Sequence, residues 1–389
     1  PAPHSFTGED VIELQGHGGM ILQQQLLTRV FELGANQAVA GEFSARAFDN
    51  DKLDLVQAEA IADAIDATSV AAAKSAMRSL TGEFSQKINA LLEQLIQLRL
   101  YVEAAIDFPD EEGVDFLADE HIAKQLRQVC EQLNNVLATA KQGQLLRDGV
   151  SVVIAGRPNA GKSSLLNRLA GQERAIVTDI AGTTRDILQE TIVLNGLTLN
   201  LTDTAGLRQT DDIVEQAGIE RARQAITQAD LLLMVYDAHR EHEPLRLATE
   251  LFGSLPNANS ILMIANKIDL SDNHQNLPKQ FSSQEQIYHP VYVSCKYGTG
   301  LEELVNQICD KVGFHPPENS LIARTRHLDA LRRTQMALQE ADEQLHLFHA
   351  GELVAESLRQ AQLSLNEITG EFTADDLLGK IFGSFCIGK

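Results

Sequence analysis

Cysteine, basic residues and long apolar runs are all scarce in this 389-residue sequence, and each scarcity excludes something. The four cysteines (Cys130, Cys295, Cys309, Cys386) are scattered with no metal-ligand spacing, a pattern suited to a reducing, cytoplasmic compartment. Lysine and arginine number 32 against 54 aspartates and glutamates, a net charge of −22. Over the surface as a whole that charge repels nucleic acid, so a nucleic-acid substrate needs a local basic patch or a basic partner. No run approaches the ~18 apolar residues that span a bilayer, and the longest, such as 231–235, are strand-sized. No membrane contact is therefore expected. Neither an initial methionine nor a signal-peptide pattern is present, so the chain is expected to lack its true N-terminus.

What is there divides into regions. At ~150 residues per domain the length suggests two or three. Residues 1–52 are Gly-rich and mixed, with a strand-like run at 10–14 and helical spacing over 22–30. From Leu53 the chain reads as helix for almost 100 residues. Phe84, Ile88, Leu91, Leu95, Leu98 and Val102 form one apolar stripe. Ile122, Leu126, Val129, Leu133, Val136 and Ala140 form another, and both need a partner helix. Asp107-Phe-Pro-Asp110 breaks the first.

At Val150 the texture changes to alternating strands and helices. Strands are expected at 150–155, 198–203, 231–236, 261–265 and 291–294, which predicts a doubly wound, mostly parallel sheet. His315-Pro-Pro reads as a linker. Beyond it Leu331, Leu338 and Leu345 lie seven apart, followed by Val354, Leu358, Ala361, Leu365 and Ile368. Helical stripes on both sides of an α/β unit predict one helical domain with an insertion; two separate helical domains are the alternative.

Gly156-Arg-Pro-Asn-Ala-Gly161-Lys162-Ser163 fits the phosphate-loop pattern and lies between a strand and a helix over 164–169. Its glycines let backbone N–H groups wrap a phosphate, Lys162 neutralises the β/γ oxygens, and Ser163 can ligate Mg²⁺. Asp203-Thr-Ala-Gly206 ends another strand, where Asp203 can hold Mg²⁺ through water and the Gly206 N–H can sense a γ-phosphate. Asn266-Lys-Ile-Asp269 follows a third strand. The Asp269 carboxylate can accept from N1–H and the 2-amino group of guanine, which adenine cannot offer. Ser294-Cys-Lys296 completes the base pocket. Each short motif is weak alone, but their order and strand-end positions together point to GTP. In Asp179-Ile-Ala-Gly-Thr183-Thr184-Arg185-Asp186, Thr184 is assigned as the second protein ligand of Mg²⁺ and as a switch over the γ-phosphate.

Ras-type enzymes place a water-orienting glutamine directly after the Asp-x-x-Gly glycine. Here that position is Leu207, so the chemistry must be completed from elsewhere. Asp211, Asp212 and Glu215 lie downstream, and the residues alone leave the choice among them open.

These motifs resemble the potassium-dependent GTPases of RNA modification and ribosome assembly. Phe6-Thr-Gly-Glu-Asp10, Gly16-His-Gly-Gly19 and the terminal Cys386-Ile-Gly-Lys389 narrow the resemblance, over essentially the whole chain, to the MnmE (TrmE) family of tRNA uridine-modifying GTPases. The resemblance implies a fold: a Ras-like G domain (149–314) inserted into a helical domain (53–148 and 315–389), preceded by the remainder of an α+β folate-binding and dimerisation domain (1–52). It implies a homodimer whose G domains pair, with K⁺ held by Asn159 and by the loop around Thr178, Ile180 and Thr183. The family's water-orienting glutamate matches Glu215.

A flavoprotein partner, MnmG, is implied, with tRNA handled mostly through the complex and C5 of the wobble uridine as the modified atom. The one-carbon donor implied is 5,10-methylene- or 5-formyl-tetrahydrofolate, held by Glu13, Lys52 and Lys389. The resemblance also implies that Cys386 is needed for the modification. Val39-Ala40 departs from an expected Arg-Pro.

The full expected GTP site follows. On the phosphate side it comprises Asn159, Ala160, Gly161, Lys162, Ser163 and Ser164, then Thr178, Thr183 and Thr184, then Asp203, Thr204, Ala205 and Gly206. On the base side it comprises Asn266, Lys267, Asp269, Ser294, Cys295 and Lys296. Catalysis is expected from Lys162, Thr184, Arg185, Gly206 and Glu215, with Cys386 serving the tRNA chemistry. Two rivals share the motifs. A ribosome-assembly GTPase would append a basic G-x-x-G loop, whereas the only such spacing, Gly16–Gly19, is not basic. A non-enzymatic GTP switch is favoured slightly by Leu207.

Overall fold

The computed structural model describes residues 1–107, 120–171, 189–203, 226–270, 277–283, 285–316, 320–348, 350–370, 381 and 383. The chain forms two compact units. One combines Pro1–Ala67, Ala73–Lys141 and Ser320–Lys389; the other comprises Thr68–Ala72 and Gln142–Asn319.

The first unit is helical. Its core comes from α5 (Glu83–Asp107) and α6 (Glu120–Asp148), with α10 (Thr325–Glu343) and α11 (Gly351–Thr369). The expected stripes bury where their period puts them: Leu91, Leu95 and Leu98 of α5 meet Leu126 and Leu133 of α6, Leu331 and Leu338 of α10, and Leu358 and Leu365 of α11 in one apolar cluster. Side chains three and four apart share a helix face, so a sequence repeat of that period is a buried seam once partner helices arrive. Leu345 lies in the π-helical turn Gln344–Phe348 that ends α10.

Among the smaller helices, α2 (Glu42–Asp49) and α3 (Leu55–Ile65) flank the loop carrying Lys52. Asp54 caps α3, accepting from the Gln57 N–H at 2.8 Å while Gln57 Oε1 accepts from the Asp54 N–H at 3.0 Å. Ile381 packs on Leu55 and Ala58, with Phe48 alongside. Helix α1 (Met20–Glu32) buries none of its residues. The strand-like run at 10–14 forms no strand. Alternation makes a strand only where a neighbour supplies the ladder hydrogen bonds, and no described residue pairs with it. α2 lies in the mixed segment where no helix was expected.

One buried polar knot crosses this unit. Glu59, 1% exposed, takes both Arg326 Nε and Nη2 at 2.8 Å. Arg326 also donates to the carbonyls of Glu367 and Ile368, and Arg324 pairs with Asp63 at 2.8 Å. The Arg324 N–H donates to Nδ1 of His327 at 3.2 Å, which leaves Nε2 as the donor to Glu59 Oε2 at 3.0 Å. Burial pushes the His327 pKa down, and it stays a neutral imidazole. Burial opposes ionisation of Glu59, but the His327 and Arg326 donors outweigh it and hold the carboxyl well below the usual range.

The second unit is built on a six-stranded sheet of order β2-β3-β1-β4-β5-β8, namely Gln189–Leu194, Leu197–Asp203, Val150–Ala155, Leu231–Asp237, Ile261–Asn266 and Pro290–Tyr292. The pairs β1–β3, β1–β4, β4–β5 and β5–β8 are parallel. Strand β2 is the exception: it pairs antiparallel with β3. It was not expected from the sequence, although Asn195-Gly196 between two apolar runs is a two-residue hairpin signal. Both residues have positive φ, 51° and 86°, as that tight turn requires.

Helices cover both faces. Val152 and Ile154 join a core with Leu165 and Leu169 of α7 (Lys162–Ala170) and with Leu304 and Ile308 of α9 (Leu301–Val312). Val153, Leu232 and Met234 face the opposite core with Leu247 of α8 (Pro244–Phe252). Burial on two faces is why β4 and β5 read as unbroken apolar runs. A short antiparallel pair, β6 (Phe281–Ser283) with β7 (Gln286–Tyr288), was also unexpected. The last strand is Pro290–Tyr292 rather than 291–294, because Ser294 turns away to bridge Thr299.

Candidate nucleotide site

The site lies at the C-terminal ends of the parallel strands, where open α/β sheets place ligands. Strand β1 runs directly into the phosphate loop, and α7 starts at Lys162, two residues earlier than expected. Two close approaches explain the loop's glycines. A Cβ on Gly156 would stand 2.1 Å from the Val235 carbonyl oxygen, and one on Gly161 would stand 2.1 Å from Asn266 Nδ2. Gly161 also has φ +102°, a region L side chains rarely adopt. Lys162 curls over the loop and donates to the carbonyls of Gly156 at 2.7 Å and Arg157 at 3.2 Å. Ser163 and Ser164 are exposed in the first turn of α7, where free N–H groups and the helix dipole favour an anion. Asn159 is exposed, at φ 62°.

On the base side, Asn266 ends β5 and is 2% exposed. Its Nδ2 donates to the Ala160 carbonyl at 2.9 Å, and its Oδ1 accepts from the Cys295 N–H at 3.2 Å. One amide thus joins the phosphate loop to the base loop. Ser294 Oγ donates to Asp269 Oδ1 at 2.6 Å, so the carboxylate has a held orientation with its second oxygen left for a ligand. Arg168 of α7 donates from Nε and Nη2 to the carbonyls of Cys295 and Lys296, each at 3.1 Å. Burial pushes the Cys295 thiol pKa up, which makes it a packing group. Lys267 pairs with Asp237 at 2.8 Å.

The structure therefore brings together Ala160, Gly161, Asn266, Asp269, Ser294, Cys295 and Lys296. Arg168 and Asp237 were missed by sequence reasoning. Nothing in the motifs marks Arg168, whereas Asp237 ends an apolar strand as Asp203 and Asn266 do. The backbone of Asp203 ends β3. Thr178, Ile180, Thr183, Thr184, Arg185, Thr204, Ala205, Gly206, Leu207, Asp211, Asp212 and Glu215 lie outside the described residues, as do Cys386 and Lys389. In the other unit Glu13 and Lys52 are both exposed. Among the described residues no group of three His, Cys, Asp or Glu side chains is placed to hold a metal, and no helix is long and apolar enough to cross a membrane.

The family profile for the MnmE helical domain matches residues 55–386, and that for the GTP-binding protein TrmE N-terminus matches residues 1–52. The tRNA modification GTPase MnmE of Psychrobacter arcticus is 74% identical over the whole of this chain and 83% of its own length. The chain belongs to the MnmE family. The MnmE of Acinetobacter baylyi is 63% identical, again over the whole chain and 83% of its own length. Among solved structures, Era of Aquifex aeolicus aligns with 48% of this chain and 66% of its own at 26% identity, with a TM-score of 0.33. As a member of the MnmE family the chain is a GTPase; the phosphate loop follows β1 and Asn266-Lys-Ile-Asp269 begins at the last residue of β5.

Proposed function

We infer that this chain is a tRNA-modifying GTPase, stimulated by K⁺ and activated by pairing of two G domains. With the flavoprotein MnmG it would modify C5 of the wobble uridine of certain tRNAs, using a tetrahydrofolate one-carbon unit. The observation carrying the GTP part is the tie made by Asn266 between the phosphate loop and the base loop, beside an Asp269 oriented by Ser294. The tRNA part is supported by the relatives, which are tRNA modification GTPases. A −22 chain is a poor tRNA binder by itself, which favours a partner that handles most of the RNA.

The donor set fits the cations. Ser163 offers a hydroxyl and Asn159 an amide oxygen, hard donors suited to Mg²⁺ and K⁺. Ser163, Thr184 and Asp203 (through water) would hold Mg²⁺; Asn159 with the loop around Thr178, Ile180 and Thr183 would hold K⁺. When bound, the two cations offset the charge that develops on the β/γ oxygens. Lys162 neutralises the same oxygens, Gly206 senses the γ-phosphate and Glu215 orients water, a task Leu207 cannot perform. Thr184 would close over the γ-phosphate as a switch, and Arg185 would belong to the catalytic set. Glu13, Lys52 and Lys389 would hold the folate, and Cys386 would serve the tRNA chemistry.

Steady-state hydrolysis in K⁺ and Na⁺ at matched ionic strength tests the reading. Turnover should rise with K⁺, depend on protein concentration where dimerisation is incomplete, and disappear in Glu215→Ala with GTP affinity retained. Equal rates in the two salts, or parental turnover in Glu215→Ala, would remove the mechanism. Cys386→Ser should keep GTP turnover and lose the modified uridine in tRNA mass spectrometry; equal loss of both would make Cys386 structural.

A further inference from the structure

The two oxygens of the Asp237 carboxylate, at the end of β4, do different jobs. Oδ1 accepts from the His239 N–H at 3.0 Å and closes the turn that follows the strand. Oδ2 accepts from Lys267 Nζ at 2.8 Å. The Asp237 side chain is 12% exposed and that of Lys267 30%, so the pair is sheltered from solvent screening more than a surface ion pair is. Burial works against the ionised form of Asp237, but the Lys267 ammonium and the His239 N–H hold its carboxyl below the usual range.

Backbone structure fixes where the two meet. Asp237 and Asn266 are register partners in the parallel β4–β5 pair, and the Ala238 N–H donates to the Asn266 carbonyl at 2.8 Å. Lys267 follows at φ 65°, a left-handed conformation that a lysine keeps only where its surroundings hold it. Its neighbours in sequence are Asn266, which ties the two nucleotide loops together, and Asp269 two residues on.

We propose that Asp237 is a positioning residue for the purine base, anchoring the Lys267 ammonium so that the lysine methylenes stand as a fixed apolar wall of the pocket whose polar end is Asp269. A long side chain with a pinned head loses its rotamer freedom before the ligand arrives, so less is lost on binding. The inference rests on reading Asn266-Lys-Ile-Asp269 as the guanine site.

A double-mutant cycle on the full chain tests it. Asp237→Asn keeps an acceptor for the His239 N–H, removes the charge and turns an amide donor toward Lys267 in place of the oxygen that accepted from it. It should raise the Kd for GTP about five-fold and leave kcat at saturating GTP within about two-fold. In a Lys267→Met background the same change should add nothing. Should Asp237→Asn not fold, Asp237→Ser, which also keeps a turn acceptor, takes its place. Parental affinity in the Asp237 variant, or the same loss in both backgrounds, overturns the role. Asp269→Asn in the same assay separates the two levels. If it shifts preference from GTP toward xanthosine triphosphate, the base site holds and a failed cycle overturns Asp237 alone. If the preference stays parental, the base site falls and the role of Asp237 falls with it.

Discussion

Both units bury polar side chains, and they use them differently. In the helical unit Glu59, Asp63, Arg324, Arg326 and His327 satisfy one another, and Arg326 further ties down the last turn of α11 through the carbonyls of Glu367 and Ile368. The side-chain donors described there end on carboxylates of the knot or on backbone carbonyls. In the α/β unit Asn266 and Ser294 are equally buried, 2% and 1% exposed, but each braces a loop. Asn266 spends both ends of its amide on backbone, and Ser294 spends its proton on Asp269, whose remaining oxygen stays available. A closed network specifies how segments far apart in sequence meet, whereas an open one transmits the rigidity of the sheet to a binding surface.

If the contrast is sound, changes in the knot should alter stability without altering GTP binding, and changes in the brace the reverse. The largest effect is expected from Glu59→Ala. Removing one partner of a buried ion pair costs about 3–5 kcal/mol, and the value here should fall near 3 because Arg326 keeps two carbonyl acceptors. Urea unfolding followed by circular dichroism should register that loss with the Kd for GTP unchanged; a weakened Kd would erase the distinction.

Next comes Asn266→Ala, which orphans the Cys295 N–H and the Ala160 carbonyl. Leaving such groups unpaired costs about 2 kcal/mol, which corresponds to roughly 30-fold weaker GTP binding. Fluorescent-nucleotide titration measures it, and an unchanged urea midpoint for the helical unit would sharpen the contrast.

The third expectation concerns pH. The folded pKa of His327 is depressed below its unfolded value of about 6.5, so the unfolded chain takes up the proton first as pH falls. This contribution to stability is complete above about 6.5 and is lost progressively below it. Glu59, also depressed, adds its own loss as pH drops below about 4.3, its ordinary value. His327→Gln should flatten the stability profile between pH 7 and pH 5; an identical slope in the variant would show that the imidazole is not what titrates. The smallest effect belongs to Ser294→Ala, which frees the Asp269 carboxylate to rotate. A net hydrogen bond of about 1 kcal/mol predicts roughly five-fold weaker discrimination of GTP from xanthosine triphosphate, read by competition binding. Equal discrimination would mean that Asp269 is held by something other than Ser294.

Much of this was legible in the residues. The stripes of α5, α6 and α11 are periodic, and a period of 3.6 has one structural meaning when partner helices exist. Strands β1, β4 and β5 announce themselves as apolar runs of strand length, and the glycines of 156–161 stand where the loop must approach the Val235 carbonyl and the Asn266 side chain. Legibility failed where the signal needed a neighbour. The run at 10–14 alternates like a strand yet pairs with nothing described, while β2 exists because β3 offers it a ladder across Asn195-Gly196. Its charged start, Gln189-Glu190, hid it. The knot is invisible in sequence because Glu59 and His327 are 268 residues apart.

By itself the sequence determined the strongly periodic and punctuated features: the seams of α5, α6 and α11, the apolar strands β1, β4 and β5, the phosphate loop, and Asn266-Lys-Ile-Asp269 at the end of β5. These follow from spacing along the chain, which sterics and the backbone hydrogen-bonding period translate directly into geometry. Only the tertiary structure decided that Arg168 grips the base loop, that Asp237 meets Lys267, and that Glu59 closes with Arg326 and His327. Hydrogen bonds and ion pairs act over about 3 Å, and no spacing in a sequence says which distant groups the folding of two cores will bring within that reach.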